Sequence, residues 1–248
     1  MENKIITTFQ IFPGLEPLER LTKRFSGLSS FSQGTVIATG SESNVLLIEN
    51  YRVVIVSNVG RKWLSNLRLC CVIVKEVVKL TKKNKINLII SYDPLKMGLY
   101  GLLVKFISGA KLLVEVNSEI QASALYDFEK GIKAKIKKVA YPNIRKFVIL
   151  LADGVKGLFP GQLDTLKLKE SLIVDYFFDY TSVSLGEYKT NSSNKIVTLG
   201  FPAYIKGTDI LIGAFNQLSA KYPDWELEIV GYFNDVETRA MLAQANGN

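Results

Sequence analysis

Hydrophobic and polar positions along the chain follow two alternating rhythms. Short apolar runs bounded by turn formers read as strands: KIITTFQIF (4–12), GTVIATG (34–40), YRVVIVSN (51–58), INLIISY (86–92) and KLLVEVN (111–117). INLIISY has the unbroken apolarity expected of a fully buried strand. Between the strands lie helical patterns. PGLEPLERLTKRF reads as a turn and an amphipathic helix, and Trp63 to Lys82 carries apolar residues at 67, 70, 71, 74, 77 and 78 before the polar TKKNK. MGLYGLLVKFISG is a mostly apolar helix with Gly98 and Gly101 on one face, suited to close packing on a sheet. A basic helix follows, then FVILLADGVKGLF, a short helix and SLIVDYFF. Strands separated by helices imply parallel pairing through right-handed crossovers, and so a doubly wound α/β domain.

Ser184 to Lys195 (SLGEYKTNSSNK) is polar and rich in Ser, Asn and Gly, the composition of an inter-domain linker. The expected division is a first domain over 1–185, a linker over 186–194 and a second unit over 195–248. That second unit reads as one βαβ, with KIVTLG and WELEIVG as strands around the helix KGTDILIGAFNQLSAKYP. About 55 residues cannot close a doubly wound domain, which needs on the order of 100, so an incomplete second domain is expected.

The chain has 248 residues, 48% of them hydrophobic, and no histidine. A sizeable core is therefore expected. Without imidazole there is no Ser-His-Asp or Cys-His nucleophile and no His-ligated zinc, and no metal site is expected. Cys70 and Cys71 are adjacent within LCCVIV, where disulfide geometry is rarely reached; both read as core thiols in a reducing compartment. MENKIITTFQIF lacks the features of a secretory signal, so a cytoplasmic location is expected. The best membrane-span candidate, Met97 to Val116, is interrupted by Lys105, Lys111 and Glu115 and reads better as a buried helix followed by a strand.

Charge is unevenly placed. Residues 1–185 carry 26 basic and 16 acidic side chains, whereas residues 186–248 carry 5 and 7. The basicity peaks in FEKGIKAKIKKVAYPNIRKF, where Lys130, Lys133, Lys135, Lys137, Lys138, Arg145 and Lys146 surround Ile132, Ile136 and Val139 at helical spacing. Three readings compete here: a solvated helix face, a surface for anionic lipid headgroups or a phosphate-bearing lipid acceptor with Lys130, Lys133, Lys137 and Lys138 as its contacts, or nucleic-acid binding. No RNA-binding signature, aromatic platform or zinc finger accompanies the lysines, and no nucleic-acid partner is expected.

The most specific stretch is LGFPAYIKGTDILIGAFNQLSAKYPDWELEIVG. Leu199-Gly200, Lys206-Gly207, Ala214-Phe215 and Leu227 to Gly231 stand in the order of strand end, loop, helix and strand. This stretch resembles the start of the donor domain of GT-B fold retaining glycosyltransferases, of the type grouped as glycosyltransferase family 4. SYDPLKMGLYGLLVKFISGAKLLVEVNSEI is similar to that family's acceptor-domain segment, and ADGVKGLFPGQ to its last first-domain strand and loop. The resemblance covers nearly the whole chain. It implies two Rossmann-like domains, a nucleotide sugar as donor substrate with no other cofactor, a glycan or lipid-linked acceptor, and transfer with retention.

Residue by residue, the resemblance implies that Lys206 and Gly200 meet the donor diphosphate beside a helix N-terminus, where an ammonium and free N–H groups suit a pyrophosphate. Gly14 would let backbone approach the same phosphates. Asp93, Asn117 and Glu119, at carboxyl ends of strands, would line the acceptor cleft, where open α/β sheets place ligands. The residues by themselves also allow Asp93 to cap a helix and Asn117 and Glu119 to form turns.

The chain departs from the pattern at several places. Phe201 stands where many family members have a phosphate-binding Arg, and a ring cannot fork hydrogen bonds to phosphate. No Glu has another Glu eight positions on, the spacing of the family's donor-binding pair, and no histidine is present for the cleft. No catalytic residue can be named, and a donor domain cut short is expected. The alternative is a non-catalytic partner or regulatory half that binds an acceptor, a membrane surface at the inner face, or a complementary chain.

Overall fold

The computed structural model describes residues 5–14, 18–83, 85–117, 131–159, 161–176, 194–199, 206–231 and 243. The chain divides into two compact units, Met1–Asp179 and Tyr180–Asn248. The polar stretch expected as a linker falls almost wholly outside the described residues.

The first unit is a Rossmann-like doubly wound domain. Its strands are β1 (Ile6–Ile11), β2 (Ser32–Gly40), β3 (Asn44–Ile48), β4 (Tyr51–Ser57), β5 (Leu88–Ser91), β6 (Lys111–Glu115), β7 (Gly154–Gly157) and β8 (Ile173–Tyr176). They form one sheet in the order β3-β4-β2-β1-β5-β6-β7-β8, parallel except for β3. The helices are α1 (Leu18–Leu28), α2 (Lys62–Lys83), α3 (Lys96–Ser108) and α4 (Ile132–Leu151).

Alternation along the strands decides which helix covers which face. Phe9 and Ile11 of β1, Ile37 of β2, Val54 and Val56 of β4 and Ile89 of β5 pack in one core with Leu69, Ile73 and Val77 of α2, Val104 of α3 and Val148 of α4. Their neighbours Val36, Ala38, Val53 and Ile55 point the other way and pack with Leu21 and Phe25 of α1. Period-two side chains thus serve two layers at once, which is why these strands read as continuous apolar runs. In β5 only Ile89 and Ser91 are buried; Leu88 and Ile90 are half-buried, so the expectation of a fully buried strand is corrected for one face.

Three further corrections concern local structure. The edge strand β3 was not anticipated: it pairs antiparallel with β4 through a turn in which Glu49 adopts φ 50°. The apolar run Phe147–Leu151 does not leave the basic helix but completes it, because Val148 and Ile149 supply its buried face. Cys71 is exposed and Cys70 half-buried, so neither is a core thiol; α2 turns Leu69 and Ile73 inward instead, which puts the cysteines on its flank.

The glycines of α3 work on two surfaces. A Cβ at Gly101 would lie 2.9 Å from Leu112 Cδ1 on the sheet, and one at Gly98 would lie 2.6 Å from Val148 Cγ1 on α4. α3 is thereby pressed against both. Beyond its end, Asp153 accepts hydrogen bonds from Lys105 Nζ (2.7 Å) and Leu112 N (2.8 Å). Burial works against the Asp153 carboxylate, but these bonds and the charges of Lys105 and Lys111 outweigh it and hold its pKa below 3.8.

The second unit has β9 (Lys195–Leu199), α5 (Thr208–Ser219) and β10 (Glu226–Val230), with β9 and β10 parallel from Lys195↔Glu226 to Val230↔Leu199. Ile212 of α5 packs on Leu227 and Ile229. Among the described residues no helix is long and apolar enough to cross a membrane.

The tightest approach in the sheet is at Gly34, where a Cβ would lie 2.0 Å from the Thr8 carbonyl oxygen. Gly34→Ala is expected to lower stability by about 1–3 kcal/mol, since backbone rather than a flexible side chain must move. Gly27→Ala, on the exposed face of α1 with nothing within 4 Å of the new carbon, is expected to raise it by about 0.5–1 kcal/mol. Urea unfolding followed by circular dichroism reads both signs.

Candidate functional site

The strand order reverses at β1. From β1 the chain passes to β2 and β4 on one side and returns through α2 to β5 on the other. Carboxyl ends of neighbouring strands on either side of such a switch point diverge into a crevice, the usual ligand site of open α/β sheets. Here the crevice is bounded by Phe12, Pro13 and Gly14 after β1 and by Tyr92, Asp93 and Pro94 after β5. Phe12 N bonds to Ile37 O (2.8 Å) and Tyr92 N to Ile11 O (3.1 Å), so both rims are held by extensions of the ladder. The Pro13 carbonyl accepts from Thr39 Oγ1. A Cβ on Gly14 would meet nothing within 4 Å, which leaves the space before it open.

Two clusters flank the crevice. On the α1 side, the Phe12 and Tyr92 rings meet edge to face at 4.7 Å, and the Arg24 guanidinium lies over both, 5.0 and 5.4 Å from their centroids. Arg24 also reaches Glu115 Oε1 at 3.5 Å. Glu115 ends β6 at 5% exposure, a buried carboxylate whose charge is met by that guanidinium. Asn117 Nδ2 donates to Tyr92 O (2.9 Å), and Gln162 bridges the next two strand ends, donating to Val116 O (3.2 Å) and accepting from Leu158 N (2.7 Å). Side-chain amides thus stitch the rim where the ladder has run out.

On the α3 side, Asp93 Oδ1 accepts from Leu95 N (2.6 Å) and Met97 N (3.3 Å), closing the first turn of α3. With Pro13, Lys96, Met97 and the buried Arg145 it lines a cavity of about 220 Å³. Burial raises the Asp93 pKa above 3.8, and the two backbone bonds, Arg145 and Lys96 only partly offset it. Burial and the charge of Lys62 lower the Lys96 ammonium below 10.5, with Asp93 acting in the opposite sense. Burial thus disfavours the charged form of both side chains lining this cavity.

Gly14, Asp93 and Asn117 therefore come together on the adjacent ends of β1, β5 and β6. Asp93 does cap a helix, and the amide of Asn117 is engaged with backbone. Glu119, Lys130 and Gly200 lie outside the described residues, as does the side chain of Lys133. Lys137 and Lys138 sit on α4, half-buried and exposed. Lys206 is exposed in the second unit, immediately before Gly207, whose φ of 67° starts α5. Among the described residues no group of His, Cys, Asp and Glu could hold a metal ion. Arg24, Tyr92, Glu115 and Lys96 were not singled out from sequence. Only Glu115 carries a readable signal, as a lone acid in the apolar strand KLLVEVN.

No protein-family model matches the chain, and no curated protein matches it by sequence. Solved structures do match by fold. A Listeria monocytogenes protein described as a UDP-N-acetylglucosamine 2-epimerase superposes with a TM-score of 0.58 at 10% identity, over 98% of this chain and 67% of its own. A UDP-forming α,α-trehalose-phosphate synthase from Burkholderia xenovorans gives 0.58 at 9% identity, over 96% and 67%. MnaA of S. aureus, solved with UDP, gives 0.57 at 14%, over 97% and 65%. The chain spans about two thirds of the length of these proteins. Its fold is that of the GT-B glycosyltransferase-like proteins.

The raised pKa of Asp93 sets a pH dependence. Between 3.8 and its folded value the native state holds the proton more tightly than the unfolded chain, so stability falls as pH rises through that window. Asp93→Asn keeps an acceptor at Oδ1 and removes the ionisation. Its stability relative to the parent should therefore grow more favourable as pH rises above about 4 and level off once the folded carboxyl has ionised. A difference that is flat with pH in urea titrations would show that the carboxyl is not held up.

Proposed function

We propose that the chain binds a nucleotide sugar and serves transfer of the sugar, with retention, to a glycan or lipid-linked acceptor. The carrying observation is the switch-point crevice of the first unit, with Asp93 and Asn117 at adjacent strand ends; in the second unit, taken by itself, Lys206 stands just before the start of α5. The UDP-forming synthase and the protein solved with UDP share the GT-B type fold. In this reading the domains run 1–185 and 195–248 around a linker at 186–194, and the donor diphosphate lies against Lys206, Gly200 and Gly14. The acceptor meets Asp93, Asn117 and Glu119, and the protein acts on the cytoplasmic side. Catalysis would come from diphosphate stabilisation and positioning.

The missing histidine and Phe201 favour a second reading: a non-catalytic half that binds acceptor or a complementary chain. Calorimetric titration with UDP and GDP, then turnover of UDP-sugars, separates the two. Binding that weakens about tenfold or more in Lys206→Ala, the scale of one charged hydrogen bond, is expected. Heat of binding without turnover favours the non-catalytic half. A folded chain that binds neither nucleotide at millimolar concentration overturns the donor-site reading.

A further inference from the structure

α4 is amphipathic twice over. Its inward face is short: Arg145 is its first buried residue among the described side chains, and Val148 and Ile149 complete the contact with the first unit. Its outward face is apolar apart from Asn143, which stands exposed between Val139 and Phe147. Ile132 (78% exposed), Ile136 (61%), Val139 (69%), Phe147 (54%) and Leu150 (56%) all stand in solvent. At 3.6 residues per turn they fall within an arc of roughly 80°, opposite the buried face, along a helix of about 30 Å. Lys135 and Lys146 border this stripe on one side, whereas the half-buried Lys137 falls near Val148 on the wheel, and the helix carries six basic and no acidic residues. Phe106 on α3 is 94% exposed, and its neighbour Lys105 reaches the end of α4 through a bond from Nζ to Leu151 O at 2.9 Å.

Neither a solvated helix nor a core helix has this pattern. A solvated face does not gather five large apolar side chains in one line, and the first three turns of α4 bury no described side chain that would hold them. A second protein would have to match an apolar ridge and a uniformly cationic border at once. An anionic bilayer meets both without shape complementarity: acyl chains take the stripe, and headgroup phosphates take lysines whose alkyl stems lie along the boundary.

We infer that α4 lies in the plane of an anionic membrane with Ile132, Ile136, Val139, Phe147 and Leu150 at the acyl boundary and Lys135 and Lys146 among the headgroups. This goes beyond the sugar-transfer reading and stands without it, since membrane docking needs no donor site. It also assigns the lysine-rich segment a different work from phosphate contact alone: the aliphatic residues, and not only the charges, carry the binding.

The test is co-sedimentation of the full chain with vesicles of phosphatidylcholine containing phosphatidylglycerol, beside pure phosphatidylcholine. Binding to the anionic vesicles is expected, and weak binding to the neutral ones. Ile136→Ser/Val139→Ser, exposed positions whose change leaves the net charge alone, should lose at least tenfold in partitioning with an unaltered circular dichroism spectrum and urea midpoint. Lys135→Glu/Lys146→Glu should lose anionic selectivity. Equal partitioning of the Ser variant and the parent would reduce the face to electrostatics and overturn the inference. So would a parent chain that ignores vesicles but self-associates on size exclusion, with the Ser variant monomeric, because the stripe would then be an interface between copies.

Discussion

Burial of β1 on both faces and both edges constrains everything else in the first unit. Hydrogen-bonded to β2 on one side and β5 on the other, it turns Phe9 and Ile11 toward the α2, α3 and α4 layer and is covered on the opposite face without large apolar side chains of its own, through Thr8 and Gln10. A strand in that position can be extended only beyond its carboxyl end, where the connections from β1 to β2 and from β5 to β6 depart to opposite sides and leave a gap. The crevice is thus a consequence of chain order. The side chains around it, Arg24 over Phe12 and Tyr92 and Asp93 at the head of α3, decorate a gap that the backbone opens.

Polar groups at this rim are each committed to the scaffold. Asp93 closes α3, Asn117 ties β6 to the carbonyl of Tyr92, and Glu115 meets Arg24. Such side chains are locked by packing and hydrogen bonds, which places a site without reorganisation when a ligand enters. The same economy appears in α4, whose final turns present Arg145 to the cavity beside Asp93 while its outer face is apolar.

Legibility from sequence followed local physics. Strands buried on both faces announce themselves as apolar runs, so β1, β2, β4, β5 and β6 were readable, as were α2, α3 and the β9-α5-β10 unit. The hairpin strand β3 was not, because Val45 and Leu47 are exposed at the sheet edge and NVLLI lacks flanking glycine or proline. The end of α4 was misread because FVILL has strand composition, while the contacts of Val148 and Ile149 with the core hold it helical. At the site, Asp93 and Asn117 could be found by position at strand ends, whereas Arg24 is one of several basic residues on α1 until Phe12 and Tyr92 are seen beneath it.

By itself the sequence determined the α/β class, the order along the chain of the strands other than β3, the concentration of positive charge before residue 186 and the exclusion of histidine chemistry, since each depends on composition or on periodicity within one element. Only the tertiary structure decided which residues meet across elements: the rise of the Asp93 pKa on burial, the guanidinium over two rings, the cysteines on an outer flank and the apolar side of α4 in solvent. Burial and charge proximity are sums over neighbours distant in the chain, and no window of sequence contains them.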